Sequence, residues 1–373
     1  MKNLKKKFLC PHCYKEHTFL ECTWRCSYYS AEPGEKCYAN VNKDYYGWIS
    51  DEDKKFCSAC KKARIRLSCP KHGEIPYCYY NADKTFLFSL IGNSCNGKST
   101  YLSVLVPEMK KLLEPSFDCI VNSQESYENS WYGYSWKRRE LMPATRPPKE
   151  QQLMLPITFF ERKKGKRKQT ALAFDDYYGY FMESVDDFIT SWEGAFGRGV
   201  VNSNGILLFL DPLLWPKIRK QLEGKMVLPY ERDEIQILQN LVEVFLKVKG
   251  TKGKIDVPIA VVVMKMDVIF AEQILDEDRI TNKHTESIYS GGVVESEFNL
   301  VAEEMKNFIR RYLGEEAFQY LNMFEKVSYF GVSALGAEPV QGSFPLDGAQ
   351  PKRVLDPLLW LLAEQKIIKK VKK

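Results

Sequence analysis

A glycine-containing turn near residue 95 combines residue types that can do chemistry together. Residues 92–99 read Gly-Asn-Ser-Cys-Asn-Gly-Lys-Ser and match the pattern G-x-x-x-x-G-K-[ST]. Glycines let successive main-chain N–H groups curl around phosphate oxygens, and a following helix adds partial positive charge. Lys98 would reach the β- and γ-phosphates of a nucleotide, and Ser99 would ligate Mg²⁺. The predicted nucleotide contacts are Gly92, Asn93, Ser94, Cys95, Asn96, Gly97, Lys98, Ser99 and Thr100.

The segments on either side of this turn support the interpretation. Thr85–Ile91 is apolar and aromatic, as expected of a strand buried on both faces. The stretch after Thr100 has apolar residues at helical spacing, so the motif lies at a strand-to-helix turn, which is the context that confirms it. Cys95 fills a free position of the loop, either as a neutral filler or as a redox handle.

A second signal for magnesium and phosphate lies further along the chain. The basic turn 161–169 joins two extended runs, and the second run ends at Asp176-Tyr-Tyr-Gly179. Asp176 would hold the magnesium through a water and the Gly179 N–H would sense the γ-phosphate, with Asp175 as the competing acid. Thr145, in a proline-rich segment, could complete the magnesium shell or be an ordinary loop residue. Lys98, Thr145, Asp176 and Gly179 are therefore the candidate catalytic residues.

Two later apolar runs end in residues that could recognise a purine. Ile259–Val263 is followed by Met264, Lys265 and Asp267, and the last strand by Ser333 and Ala334. A carboxylate at Asp267 can accept hydrogen bonds from the N1–H and 2-amino groups of guanine, whereas adenine would leave it unpaired. The Lys265 stem can lie across the base, and a main-chain N–H at Ser333 or Ala334 can meet the guanine oxygen.

The cysteines mark a separate N-terminal module. Nine of the eleven cysteines precede residue 80, and seven of these nine form two patterns of the form C-x2-C-x8-C-x2/3-C/H. Two such knuckles supply four sulfur or nitrogen ligands with no open position, as in structural zinc sites. The first predicted site is Cys10, Cys13, Cys22 and Cys26, and the second is Cys57, Cys60, Cys69 and His72. A crossed arrangement, in which Cys10 and Cys13 pair with a distant knuckle, stays open, with Cys37, Cys78, His12 and His17 as further donors.

These motifs, in this order, resemble the translation-factor-related (TRAFAC) class of P-loop GTPases. More narrowly, they are similar to the bacterial double-GTPase-type proteins, which carry cysteine-rich ribbons before the phosphate loop and a "DP" pair, here Asp211-Pro212. The resemblance implies a three-layer α/β, Ras-like GTPase domain that binds GTP or GDP with Mg²⁺. It also implies a switch that signals to a protein partner in a bacterial conflict or defence system.

The chain departs from that pattern in two places. Met264 stands where the base-reading motif begins with Asn or Thr, and a thioether cannot make that side chain's hydrogen bond. Tyr180 and Phe181, with no glutamine, follow Gly179, so the usual water-positioning side chain is missing. The resemblance therefore implies GTP binding with slow hydrolysis, and Arg146 and Arg198 are possible charge stabilisers.

Length and composition set the remaining expectations. The 373 residues fit a module of residues 1–80 with one or two zinc sites and a P-loop GTPase domain of residues 81–373. The net charge of +6 is too small to favour nucleic acid as a partner, and no apolar run is long enough to span a membrane. A basic start with no apolar segment after it argues against a signal peptide, so we expect a cytoplasmic protein with reduced cysteines.

The rest of the chain predicts packing elements and leaves two other functions open. Tyr230–Gly250 has the apolar spacing of an amphipathic helix. We expect Asp278–Glu297 to be a mobile insertion and the basic C-terminal tail to fray. The alternatives are an ATPase or small-molecule kinase with the same loop, and a zinc-ribbon nucleic-acid adaptor with vestigial nucleotide binding.

Overall fold

The structure is a computed structural model that describes most of the chain. The described residues are 5–26, 40–41, 65–70, 75–123, 127–128, 130–141, 151–161, 166–177, 184–276, 278–283, 288–289 and 291–371. The strands are β1 Lys7–Leu9, β2 Glu16–Thr18, β3 Thr23–Cys26, β4 Asn40–Val41, β5 Ile65–Ser68, β6 Lys84–Gly92, β7 Cys119–Val121, β8 Gln151–Glu161, β9 Lys166–Asp176, β10 Gly205–Leu210, β11 Ile259–Val263, β12 Ile288–Tyr289, β13 Gly292–Val294, β14 Val327–Gly331 and β15 Lys369–Val371.

Along the chain, most helices connect strands of the large sheet. They are α1 Tyr77–Asn81, α2 Lys98–Glu108, α3 Glu114–Phe117, α4 Trp131–Arg138, α5 Val185–Asn202, α6 Pro216–Leu222, α7 Glu234–Val244, α8 Met266–Ala271, α9 Glu295–Tyr312, α10 Glu316–Leu321 and α11 Asp356–Glu364. Among the described residues, no helix combines the length and the apolar character needed to cross a bilayer.

One seven-stranded sheet organises residues 84–331. Its strand order is β14-β11-β10-β6-β9-β8-β7, and the strands from β14 to β9 are parallel. β8 and β9 form an antiparallel hairpin, and β7 adds antiparallel to β8. Every residue of β10 and β11 is buried, as in central strands with both faces covered. This five-stranded parallel sheet flanked by helices fits the predicted α/β, Ras-like architecture.

The strand order places the functional edge of the sheet. From β6 the chain goes to one side, to β7, β8 and β9, and then returns to the other side to form β10. In such sheets a crevice opens beyond the carboxyl end of the strand at which the order reverses. The turn after Gly92 therefore lies where a ligand is expected.

The cysteine-rich segment packs directly on the large sheet. β1 and β2 form a hairpin, and β3 pairs with β4 and β5. The buried apolar cluster of this segment includes Phe8, Phe19 and Tyr79, and it also includes Leu87 of β6 and two alanines of β9. The module therefore shares its core with the sheet that carries the phosphate loop.

Two predictions about the second half of the chain are wrong. The stretch expected to be a mobile insertion contains β13, and the tail expected to fray contains β15. These strands pair in parallel, with Gly292 opposite Lys369 and Val294 opposite Val371. Pairing gives the backbone N–H and C=O groups of both segments hydrogen-bond partners. The two segments are far apart along the chain, so a local sequence pattern cannot show that they pair. The predicted helix at Tyr230–Gly250 begins later, at Glu234, and ends in a π-helical turn, Phe245–Lys249.

Candidate functional site

The loop from Gly92 to Gly97 has the backbone geometry of a phosphate cradle. A Cβ at Gly92 would lie 2.5 Å from the carbonyl oxygen of Phe209 on β10, so only glycine fits there. Gly97 has a φ of 85° and caps the start of α2, which begins at Lys98. Positive φ at this position favours glycine and turns the main chain into the helix. The helix N-terminus therefore faces the loop, as anion binding requires.

Lys98 is held inside this loop. Its Nζ donates to the carbonyl oxygens of Gly92, at 2.8 Å, and Asn93, at 2.6 Å. Burial lowers the pKa of Lys98 to about 8, while the Asp176 carboxylate opposes that shift and the Arg232 guanidinium adds to it. A polyphosphate at the loop would favour the charged ammonium.

Ser99 and Asp176 meet across the crevice. The Ser99 hydroxyl donates to Asp176 Oδ2 at 2.6 Å, and the Tyr132 hydroxyl of α4 donates to the same oxygen at 3.2 Å. Asp176 lies at the end of β9 opposite Leu90 of β6. Burial raises the pKa of Asp176, and Lys98 offsets part of the effect. The neighbouring Asp175 accepts instead from the Tyr177 hydroxyl, at 3.1 Å, so the geometry favours Asp176 as the acid that faces the loop.

These oxygens fit a magnesium ion. Asp176 Oδ1 is buried and has no hydrogen-bond partner within the described part of the chain. Mg²⁺ prefers carboxylate and hydroxyl oxygens together with phosphate oxygens and water. A cation beside Asp176 would supply the positive counter-charge that a buried, ionised carboxylate needs.

A buried glutamate links the phosphate loop to the next strand. Glu234, the first residue of α7, accepts from Asn96 Nδ2 at 2.9 Å and from Trp215 Nε1 at 2.8 Å. It also accepts from the main-chain N–H of Asp211, at 2.9 and 3.1 Å. Burial raises the pKa of Glu234 to about 8, and the Asp211 charge adds to the shift. Sequence reasoning missed Glu234 because helical spacing marks it only as part of a helix.

The predicted base-reading residues lie at the same edge of the sheet. β10, β11 and β14 run in parallel, so the residues that follow them are neighbours. The Ser333 hydroxyl donates to Asp267 Oδ1 at 2.7 Å and accepts from the Gly336 N–H at 3.0 Å. The Ser333 N–H donates to the carbonyl of Lys352, so a contact with a purine oxygen would fall to Ala334.

Lys265 and Met264 connect this edge to the phosphate loop. Lys265 Nζ lies 2.5 Å from Asp211 Oδ2, and Lys265 has a φ of 56°. Met264 is buried, and its Cε would lie 3.3 Å from a Cβ placed at Gly97. The thioether thus packs against the phosphate loop where the related motif has a polar side chain.

Three cysteines from the two predicted patterns lie together in the structure. The Sγ atoms of Cys10, Cys13 and Cys69 are buried and lie within 4.8 Å of one another. Cys22 is buried nearby but is not in this group, and its Sγ lies 3.5 Å from the Thr18 carbonyl. Pairing of β3 with β5 brings Cys69 of the second pattern to Cys10 and Cys13 of the first, as the crossed alternative requires. His17 Nε2 lies 3.1 Å from the Cys13 Sγ.

Several predicted residues lie outside the described residues. They are Thr145, Arg146, Gly179, Cys57, Cys60, His72 and the side chain of Cys26. Arg198 is described, and its Nε donates to the Cys13 carbonyl at 3.4 Å. This contact joins α5 to the cysteine turn, and the role of Arg198 as a charge stabiliser stays a prediction.

Comparisons with known proteins give distant structural likenesses. No family model matches the sequence, and no curated protein matches it. The chain is similar to the Arl6 BBS3 small GTPase of Trypanosoma brucei with bound GppNp, at 12% identity and TM-score 0.32, over 76% of this chain and 99% of that one. It is also similar to the Saccharomyces cerevisiae Ski7 GTPase-like domain bound to GTP, at 13% identity and TM-score 0.32, over 79% and 52% of the two chains.

A third likeness is to the translation elongation factor SelB of Methanococcus maripaludis, in complex with GppNHp. The identity is 13% and the TM-score 0.27, over 68% of this chain and 30% of that one. This chain thus spans about half of the Ski7 domain and less than a third of SelB. All three TM-scores are below 0.5.

Proposed function

We propose that this protein is a GTP-binding switch with Mg²⁺-dependent, slow GTP hydrolysis. The observation that carries the proposal is the Asp267–Ser333 pair at the same sheet edge as the Gly92–Ser99 loop. Asp267 would accept from the N1–H and the 2-amino group of guanine, which adenine cannot match. Lys98 and the helix N-terminus would bind the phosphates. The predicted ligands and cofactors are therefore GTP or GDP and Mg²⁺.

The same residues define what the chain contributes to hydrolysis. Phosphoryl transfer to water depends mainly on positioning and on neutralising the phosphate charge. Mg²⁺, when bound, supplies part of that charge, and Ser99 and Asp176 are the residues that would hold it. Lys98 would contact the β- and γ-phosphate oxygens. Thr145 and Gly179 stay predictions for the third magnesium contact and the γ-phosphate contact.

The switch would be transmitted through α5 to the cysteine-rich module. α5 follows the segment that starts at Asp176, and its Asn202 Nδ2 donates to the Tyr14 carbonyl at 3.3 Å. A Cβ at Gly199 would lie 2.1 Å from the Tyr177 hydroxyl and 3.0 Å from the Tyr14 ring. A displacement of Tyr177, the residue after Asp176, would therefore move α5 and the module that α5 contacts. A protein effector in the cytoplasm, in a bacterial defence system as the resemblance implies, would respond to that movement.

Zinc fits the cluster of three cysteine thiols in the module. Cys10, Cys13 and Cys69 supply three soft ligands, and tetrahedral Zn²⁺ takes four sulfur or nitrogen atoms. The Cys69-Pro-Lys-His72 spacing makes His72 our candidate for the fourth. The role would be structural, since metal binding contributes folding free energy to a small module.

A competition assay tests the nucleotide assignment. A fluorescent GTP analogue is bound to the wild-type chain with Mg²⁺ and displaced by unlabelled GTP or ATP. GTP should displace it at least about a hundredfold more effectively than ATP, because adenine offers the Asp267 carboxylate neither an N1–H nor a 2-amino donor. Equal displacement by ATP would favour an ATPase or kinase. No nucleotide binding, with salt-sensitive RNA or DNA binding, would favour the adaptor alternative.

A further inference from the structure

An arginine that the sequence motifs do not mark lies beside the phosphate loop. Arg232 precedes α7, and its Nη1 donates to the Ser94 carbonyl oxygen at 3.4 Å. Ser94 lies in the loop, between Gly92 and the lysine that would contact the phosphates. Lys98 Nζ lies inside the same loop, where it donates to the Gly92 and Asn93 carbonyl oxygens. Two cationic side chains therefore approach one short loop, an arrangement that a bound polyanion would stabilise.

The backbone around Arg232 is fixed from both sides. Asp233 caps α7 by accepting from the Ile235 N–H at 2.8 Å, and Glu234 is locked by Asn96, Asp211 and Trp215. On the other side, Arg219 Nη1 donates to the Pro229 carbonyl at 2.7 Å. The guanidinium is therefore carried by a short, pinned segment, and pre-organised charges are the ones that stabilise a transition state.

Hydrolysis on this chain needs a further positive charge. Of the two arginines that the sequence offers for this role, Arg146 lies outside the described residues and Arg198 Nε contacts the Cys13 carbonyl. In the transition state, negative charge is spread over the equatorial oxygens of the γ-phosphoryl group, and an arginine in the same chain can stabilise it. A half-buried guanidinium with a planar set of donors suits those oxygens better than an ammonium.

We propose that Arg232 acts in cis as the charge-stabilising arginine for γ-phosphoryl transfer. This inference rests on the proposed GTPase function. In the step it assists, a water oxygen bonds to the γ-phosphorus while the bond to the β–γ bridging oxygen breaks. The electron pair of that bond stays on GDP, and the water proton passes to the released inorganic phosphate. Arg232 neither gains nor loses a proton, since a guanidinium stays charged.

Single-turnover hydrolysis of GTP, measured beside GTP affinity, tests the proposal. Arg232→Ala should lower the hydrolysis rate at least about a hundredfold, while the dissociation constant for GTP changes less than about tenfold. Arg232→Lys should restore only part of the rate, because it returns the charge without the planar donors. The matched control is Lys220→Ala, an exposed cation that lines a surface pocket together with Arg232 and not with the phosphate loop, and it should hydrolyse GTP like the wild type.

A second readout separates charge stabilisation from a structural role. GDP with aluminium fluoride imitates the transferring phosphoryl group, so Arg232→Ala should weaken that complex far more than it weakens GDP alone. Equal hydrolysis by wild type and Arg232→Ala would overturn this inference and leave GTP binding standing. Equal losses for GDP and for the aluminium fluoride complex would also overturn it, because they indicate a positioning role. A wild-type chain that binds no GTP would overturn the inference and the proposed function together.

Discussion

The buried carboxyl of Glu234 should make the stability of the whole domain depend on pH. The side chain is buried among Asn96, Trp215 and the turn at Asp211. Burial and the Asp211 charge raise its pKa from the ordinary 4.5 to about 8 in the folded chain. Between these two values the folded protein keeps a proton that the unfolded chain has released. The unfolding free energy should therefore fall as the pH rises through that window, and level off above it.

The size of the effect follows from the shift. Each pKa unit corresponds to about 1.4 kcal/mol, so the full contribution is about 5 kcal/mol between about pH 4.5 and about pH 8. Glu234→Gln keeps the volume and removes the titration. The amide turns a donor toward partners that are themselves donors, which costs about 1–3 kcal/mol at every pH. The variant should thus be less stable at low pH and should lose less stability as the pH rises.

Urea unfolding of both proteins at several pH values measures this difference. The quantity of interest is the change in unfolding free energy across the window for the wild type, minus the same change for Glu234→Gln. Asp233→Asn is the matched control, because Asn also caps a helix and Asp233 is exposed. The control should keep the wild-type pH dependence. Identical pH dependence in the wild type and Glu234→Gln would refute the reasoning.

Three further substitutions test separate parts of the account. Lys98→Ala should weaken GTP binding at least about a hundredfold by calorimetry, since it removes the cation inside the phosphate loop; unchanged affinity would show that the nucleotide binds elsewhere. Asp267→Asn should shift the preference from GTP toward xanthosine triphosphate in a displacement assay; an unchanged preference would disprove the base-reading assignment. Cys69→Ser should remove zinc, measured by elemental analysis, whereas Cys119→Ser should not, because Cys119 lies outside the cluster of three cysteine thiols. Equal zinc content in both variants would contradict the assignment of zinc to that cluster.

The strands and the edge that carries the site could be predicted because they depend on local patterns. The β11 bounds agree with the predicted Ile259–Val263, and β6 extends the predicted strand by one residue at each end. Once the strands are parallel, the residues after them must meet at one edge. The Ser99–Asp176 and Asp267–Ser333 contacts follow from that geometry.

The contacts that sequence reasoning missed join distant segments through side chains. Tyr132 reaches Asp176 from a short helix whose sequence carries no motif. Glu234 reaches Asn96 across 138 residues. The cysteine spacing likewise suits two local sites equally well, and only the pairing of β3 with β5 brings Cys69 to Cys10. Such contacts depend on tertiary packing, which spacing along the chain does not encode.

The most direct test of the central claim is an experimental structure with a non-hydrolysable GTP analogue and Mg²⁺. The measured quantities are the distances from the γ-phosphate to Lys98 Nζ and from guanine N1 and the 2-amino nitrogen to the Asp267 carboxylate. If the nucleotide binds as proposed, all three are hydrogen-bond distances of about 2.7–3.2 Å. A nucleotide whose phosphates lie outside the Gly92–Ser99 loop, or whose base does not contact Asp267, would contradict it.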